Sequence, residues 1–151
     1  MLEREQTPRY RLRRFHEAGR LSRRDGPSTP RAGAVMQVER VKYVIWAADM
    51  DRAVRFYTTL FGGVVGRSNP AITEVEVVGS VIGIHSGGEG KRTWTGLSFQ
   101  VPDVVAGAAE VVAAGGQLTH EPKEENGEPP HLAMCMDPEG NEFMLTRRRG
   151  S

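Results

Sequence analysis

Glu142, in the stretch DPEGNEFML (residues 137–145), has the chemistry to hold a metal ion, to serve as a base, or to stand solvated on a strand. Asp137-Pro138-Glu139-Gly140-Asn141 reads as a turn: proline presets one backbone angle and glycine allows the reversal. Beyond it Phe143 and Leu145 alternate with Glu142, Met144 and Thr146, so a two-faced strand leaves the turn. His85 and His131 are the groups that could join Glu142 in a metal site, but no HxH or HExxH spacing supports one. His120 and His131 flank the acidic loop KEENGEPP (123–130), whose Asn126-Gly127 pair signals a tight turn. That loop reads as a solvated hairpin or as a flap over a ligand. Cys135 is the one candidate thiol nucleophile; the sequence sets no base beside it, and a buried thiol is expected. Nucleophilic triads, phosphate-binding glycine loops and zinc-finger spacings are absent from the sequence.

These residues need a frame. The 151 residues suffice for one domain with a true core, and 38% hydrophobic with 26% charged residues is a soluble balance. No apolar run reaches the roughly 20 residues that span a bilayer, so no membrane partner is expected. A lone cysteine rules out an intrachain disulfide and points to a reducing, cytoplasmic setting. The net charge of +1 hides an asymmetry: residues 1–35 carry nine arginines against four acids, leaving 11 basic and 15 acidic residues in 36–151. The first 35 residues lack a steady hydrophobic period and end in the linker-like GPSTPRAGA, so a disordered basic extension is expected. Two other readings stand beside it, an arginine-rich arm for nucleic acid and a transit peptide, the latter opposed by the four acids.

From Met36 the periods become regular. VKYVIWAAD (41–49) reads as a strand, and MDRAVRFYTTLF (50–61) puts Met50, Ala53, Val54, Tyr57, Leu60 and Phe61 on one helical face. Asp49 is placed to cap this helix and Gly62-Gly63 to end it. Short strands follow near 64–67, 72–78 and 81–86. The pattern then recurs: a strand at 94–101, a helix at 103–114 capped by Asp103 and ended by Gly115-Gly116, and strands near 117–121, 131–136 and 141–147. Asp49 and Asp103 lie 54 positions apart and the two Gly-Gly pairs 53 apart, the mark of a duplicated βαβββ unit.

AADMDRAVRFYTTLFGG, followed about eighty residues later by DPEGNEFMLTR, resembles the vicinal oxygen chelate superfamily, which includes glyoxalase I, bleomycin resistance proteins and extradiol dioxygenases. The resemblance implies an α+β fold of two tandem βαβββ modules, about 37–87 and 92–148 within a domain of 36–148, followed by a tail at 149–151. Their sheets would curl into an open cup, usually within a homodimer. Strand alternation then assigns faces. Lys42, Val44 and Trp46 should face the cup from the first strand, Gly83 and His85 from the fourth, Gly96, Ser98 and Gln100 from the fifth, and Glu142, Met144 and Thr146 from the last.

Metal-using relatives place one ligand on each of these strands, typically His, Glu, His and Glu. Those positions fall on Lys42, Gly83, Gly96 and Met144, none of which is a plausible ligand for a divalent ion. The expectation is therefore a cup with no metal and no other cofactor, binding a small organic ligand between aromatic walls through Lys42, Trp46, His85, Trp94, Ser98, Gln100, Glu142 and Met144. The acidic body and aromatic walls suit a cationic, aromatic, antibiotic-like ligand. Lys42 on such a face needs a partner, and Glu142 is the expected one. The rival reading is an enzyme, a glyoxalase-like lyase or isomerase or an extradiol-type dioxygenase, which needs a divalent metal at a site shifted to His85, His131 and Glu142. Nucleic acid is not the expected partner of the body.

Overall fold

The structure, a computed structural model, describes Gly33 and residues 35–150. The expectations for the basic N-terminal segment fall almost wholly outside the described residues. Backbone contacts divide the chain into Met1–Gln37 and Val38–Ser151, and the fold described below is that of the second unit. Among the described residues no helix is long and apolar enough to cross a membrane.

Two βαβββ modules follow one another. The first comprises β1 (Lys42–Ala47), α1 (Met50–Phe61), β2 (Val64–Ser68), β3 (Ile72–Val77) and β4 (Ser80–Ser86). The second comprises β5 (Thr93–Gln100), α2 (Val104–Ala113), β6 (Gln117–His120), β7 (Leu132–Met136) and β8 (Asn141–Thr146). Each builds a four-stranded mixed sheet, ordered β1-β4-β3-β2 and β5-β8-β7-β6, with its first and last strands parallel. The parallel pair follows from the duplication: a helix must carry the chain back across the sheet before hairpins complete it. The expected curled sheet is thus met as two sheets of four.

Local chemistry sets the helix ends. The Asp49 side chain accepts the Arg52 N–H at 3.0 Å, and Gly62 closes α1 in the left-handed region at φ 64°. Asp103 does the same for α2, accepting the N–H groups of Val105 and Ala106. Both caps fall where the repeat in the sequence puts them.

One core serves both modules. Ile45, Ala47, Val75 and Ile84 from the first sheet join Leu97, Phe143, Leu145 and Cys135 from the second, with Ala53, Phe56 and Tyr57 of α1 among them. Phe56 was absent from the expected helical face. It is buried because α1 has a second neighbour: Phe56 meets Phe143 edge-on at 6.1 Å between ring centroids, and Phe61 stacks on Phe99 at 3.8 Å. Each such aromatic burial stabilises by about 1.5–3 kcal/mol. Cys135 is fully buried, as expected, and burial pushes its thiol up to about 11, so it stays protonated at neutral pH.

Candidate functional site

The DPEGN turn turns out to be a clasp between modules. The Glu139 side chain, fully buried, accepts the N–H groups of Ala48 and Asp49 at 2.9 and 3.1 Å and the Arg52 Nε–H at 2.6 Å. A carboxylate there also meets the positive end of the α1 dipole. Asp137 accepts the Tyr57 hydroxyl at 2.8 Å, the N–H groups of Glu139 and Asn141, and the Asn141 side-chain amide. Asn141 in turn donates to the Trp46 carbonyl at 2.8 Å. The side chains of Glu139, Asp137 and Asn141 thus tie the turn before β8 to β1 and α1, while further bonds inside the turn fix its shape. These residues position the site walls.

Burial raises the Asp137 carboxyl above its ordinary range despite these hydrogen bonds, and burial, then the Asp137 charge and hydrogen bond, raise the Tyr57 phenol well above its own. The phenol has a consequence for pH. A native pKa above the unfolded value of about 10 gives stability that is full below pH 10 and is lost as pH rises toward the native value. Urea unfolding followed between pH 8 and 11 is therefore expected to show stability falling above about pH 10. Tyr57→Phe should lessen that slope, and an unchanged slope would refute this origin.

The sheet faces away from the core carry the expected cup residues, in two groups. On the first sheet, Trp46 and His85 sit side by side in the register and their rings touch, with centroids 4.4 Å apart and planes at 42°. Trp46 remains 50% exposed. The His85 Nδ1 lies 2.7 Å from the Ser86 carbonyl, so this nitrogen carries the proton and Nε2 is left for other partners. Lys42 pairs with Glu74 of β3 rather than with Glu142. The reason is register: Val44, Gly83 and Glu74 form one row across β1, β4 and β3, and Gly83 has no side chain to block Lys42 from reaching over β4. The Lys42 hydrogen bond and the charges of Lys42, Arg40 and Arg67 hold Glu74 below the usual carboxylate range, against the opposite push of burial.

On the second sheet Glu142 is buried and pairs with Arg92. Ser98 stands opposite Met144 and Trp94 opposite Glu142. Here alternation alone misplaces a residue. A bulge between Trp94 and Leu97, with Gly96 at φ 71°, brings Trp94 rather than Gly96 beside Glu142. Gly96 therefore does not occupy the cup position assigned to it. Trp94 is 57% exposed.

Several cavities lie around these faces, and a small one of about 250 Å³ takes in Trp46 beside Lys91, Thr93 and Asn141. One of about 580 Å³ lies along β5 and the start of β1 and β4, and of the expected set only Ser98 and Gln100 reach its wall. Another of about 620 Å³ lies under the 121–131 loop, against Thr119, His120, His131 and Met134. The Thr119 hydroxyl is buried there without a partner. The loop makes the expected Asn126-Gly127 turn, with both residues at positive φ. His131 faces Glu125 at 3.5 Å and accepts from Arg149 at 2.7 Å, away from His85 and Glu142 in its bonding.

This donor set does not suit a divalent cation. Among the described residues no three His, Cys, Asp or Glu side chains gather as a metal site would require. Two of the acids on the sheet faces are already bound by cations, Glu74 by Lys42 and Glu142 by Arg92. The shifted set His85, His131 and Glu142 is not brought together.

Sequence reasoning missed Glu74, Arg92 and the clasp. Glu74 had a signal, a carboxylate alternating with Thr73, Val75 and Val77 in the middle of a strand. The clasp had none, because its partners lie 80 to 95 residues apart.

Comparison with known proteins agrees with this architecture. Among solved structures, the genomically encoded fosfomycin resistance protein FosX from Listeria monocytogenes superposes with a TM-score of 0.63 at 18% identity, covering 77% of this chain and 95% of that one. A point mutant of that protein has been solved with Mn(II) and 1S,2S-dihydroxypropylphosphonic acid. A glyoxalase/bleomycin resistance protein/dioxygenase family enzyme from Burkholderia phytofirmans gives 0.56 at 24% identity, with 69% and 94% covered. The hypothetical protein SA1046 from S. aureus gives 0.58 at 16% identity, with 75% and 96% covered. No curated protein matches the chain in sequence. The family model for a glyoxalase-like domain matches residues 42–146, from the first residue of β1 to the last of β8, and the chain belongs to that family within the vicinal oxygen chelate superfamily.

Proposed function

We propose that the protein binds a small organic molecule, in the manner of the glyoxalase and bleomycin resistance proteins, without a metal ion. The observation that carries this reading is the half-exposed Trp46 indole seated against His85 on a sheet face where Lys42 is held in place by Glu74. A flat aromatic surface beside a few fixed polar groups is what a small-molecule site needs. A ligand-binding role also accounts for the donor chemistry: a lysine on the face where related proteins hold a cation repels one. The open edges of β1 and β5, with Trp94 exposed on the second sheet, support a homodimer as the working form. A cytoplasmic site of action fits a single buried thiol.

The test is elemental analysis of protein purified without chelator, followed by titration with organic ligands watched through tryptophan fluorescence. Metal well below one equivalent is expected, with a fluorescence response that survives added chelator. About one equivalent of Ni, Zn, Fe or Mn, with a response that chelator abolishes, would favour the lyase or dioxygenase class instead.

A further inference from the structure

On the outer face of the first sheet, three cations surround one carboxylate. Lys42 donates to Glu74, the Arg40 guanidinium lies 3.8 Å from its other oxygen, and Arg67 adds its charge from β2. Glu76, two residues along the same face, brings a second acid. Three cations against two acids leave the patch one charge positive. The Glu74 side chain is 11% exposed and that of Lys42 is 40% exposed, so the acid is a buried anchor and the lysine a partly open side chain. An ammonium has three donors, and Glu74 takes one.

The neighbouring row on this face is aromatic. Trp46 and His85 stand next to the Val44-Gly83-Glu74 row, about 7 Å further along the strands. Gly83 keeps the space between them low: a methyl group there would come within 3.2 Å of Ile72 and 3.5 Å of Val44. The Lys42–Glu74 pair, the Val44-Gly83 step, and the row of Trp46, His85 and Ile72 thus follow one another across one surface.

We propose that this face is a metal-independent oxyanion site. The Lys42 ammonium, fixed by Glu74 and backed by Arg40 and Arg67, receives the carboxylate or phosphonate of a small organic anion whose flat body lies on Trp46 and His85. The inference rests on the small-molecule reading above and adds the sign of the ligand's charge. It reverses the expectation of a cationic ligand, because the local charge on the binding face is positive although residues 36–151 are acidic as a whole. It also gives the lysine a role: it supplies locally the positive charge that a metal ion would otherwise bring to an oxygen.

Calorimetric titration of the full chain in chelator with benzoate, phenylphosphonate, benzyl alcohol and benzamidinium tests this, with the Trp46 indole N–H followed by NMR. Benzoate and phenylphosphonate are expected to bind and shift the Trp46 signal, weakening as salt is raised, and benzamidinium to fail. Lys42→Met should weaken both anions by about tenfold or more. Because that variant bares the Glu74 charge, Lys42→Met/Glu74→Gln is measured beside it and should stay weak; recovery to wild-type affinity would overturn the direct contact. Arg40→Gln, which spares the pair, should weaken the anions severalfold. Preference for benzamidinium or benzyl alcohol would overturn the oxyanion inference and leave the small-molecule reading standing. No Trp46 shift with any of the four would overturn both.

Discussion

Glu139→Ala is expected to lower the unfolding free energy by about 2–4 kcal/mol, a large share of what a domain of this size possesses. The side chain is fully buried and serves three donors at once: the backbone N–H groups of Ala48 and Asp49 and the Arg52 guanidinium. Alanine would leave two backbone donors at the start of α1 without a partner and strip a charge from the helix's positive end. Glu139→Gln keeps an oxygen that can accept and should lose less. Urea unfolding of both variants checks the ranking; a loss for alanine below about 1 kcal/mol would show that water replaces the carboxylate without cost.

One residue further, Gly140→Ala should destabilise by about 3 kcal/mol or more, through two additive causes. Gly140 has φ 91°, where a side chain costs about 1–2 kcal/mol, and its added methyl would stand 2.5 Å from the Lys91 carbonyl oxygen. Gly87 separates the two. It has nearly the same φ, 92°, but nothing within 4 Å of a methyl group there. Gly87→Ala should therefore show the backbone cost alone, and the difference between the variants measures the closeness of the clasp to the 90–91 backbone. Equal losses in the two would mean that the Lys91 segment simply moves aside.

How much of this was legible in the sequence depends on the range of the interaction. Both helices, their aspartate caps and the strand faces of β1 and β8 follow from period and local turn chemistry, which act over four or five residues. Lys42 could be recognised as a lysine in need of a partner, but Glu142 was the wrong one. The partner is chosen by which strand lies two places away and by Gly83 leaving the way clear, and strand order is not a local property. Gly96 was misplaced because a bulge breaks the simple count without changing which face a strand shows. Phe56 was passed over for the same reason as the clasp, since its neighbour Phe143 belongs to the other module. The fold was readable from periods, while the site depended on contacts between strands.

The clasp also bears on the order in which the chain can finish folding. Glu139 and Asp137 hold residues 80 to 91 positions earlier, so the start of α1 lacks its partners until nearly the whole domain has been synthesised. Until then the first module keeps its helix entrance open and the α1 aromatics without the Phe143 side of their core. Closure over so long a loop costs more entropy than any local turn, and it comes late. A chain cut short before residue 137 therefore has the whole first module but lacks β8, the strand that joins β5 to β7, and lacks the contacts that lock the modules together, an aggregation-prone species that quality control would meet first.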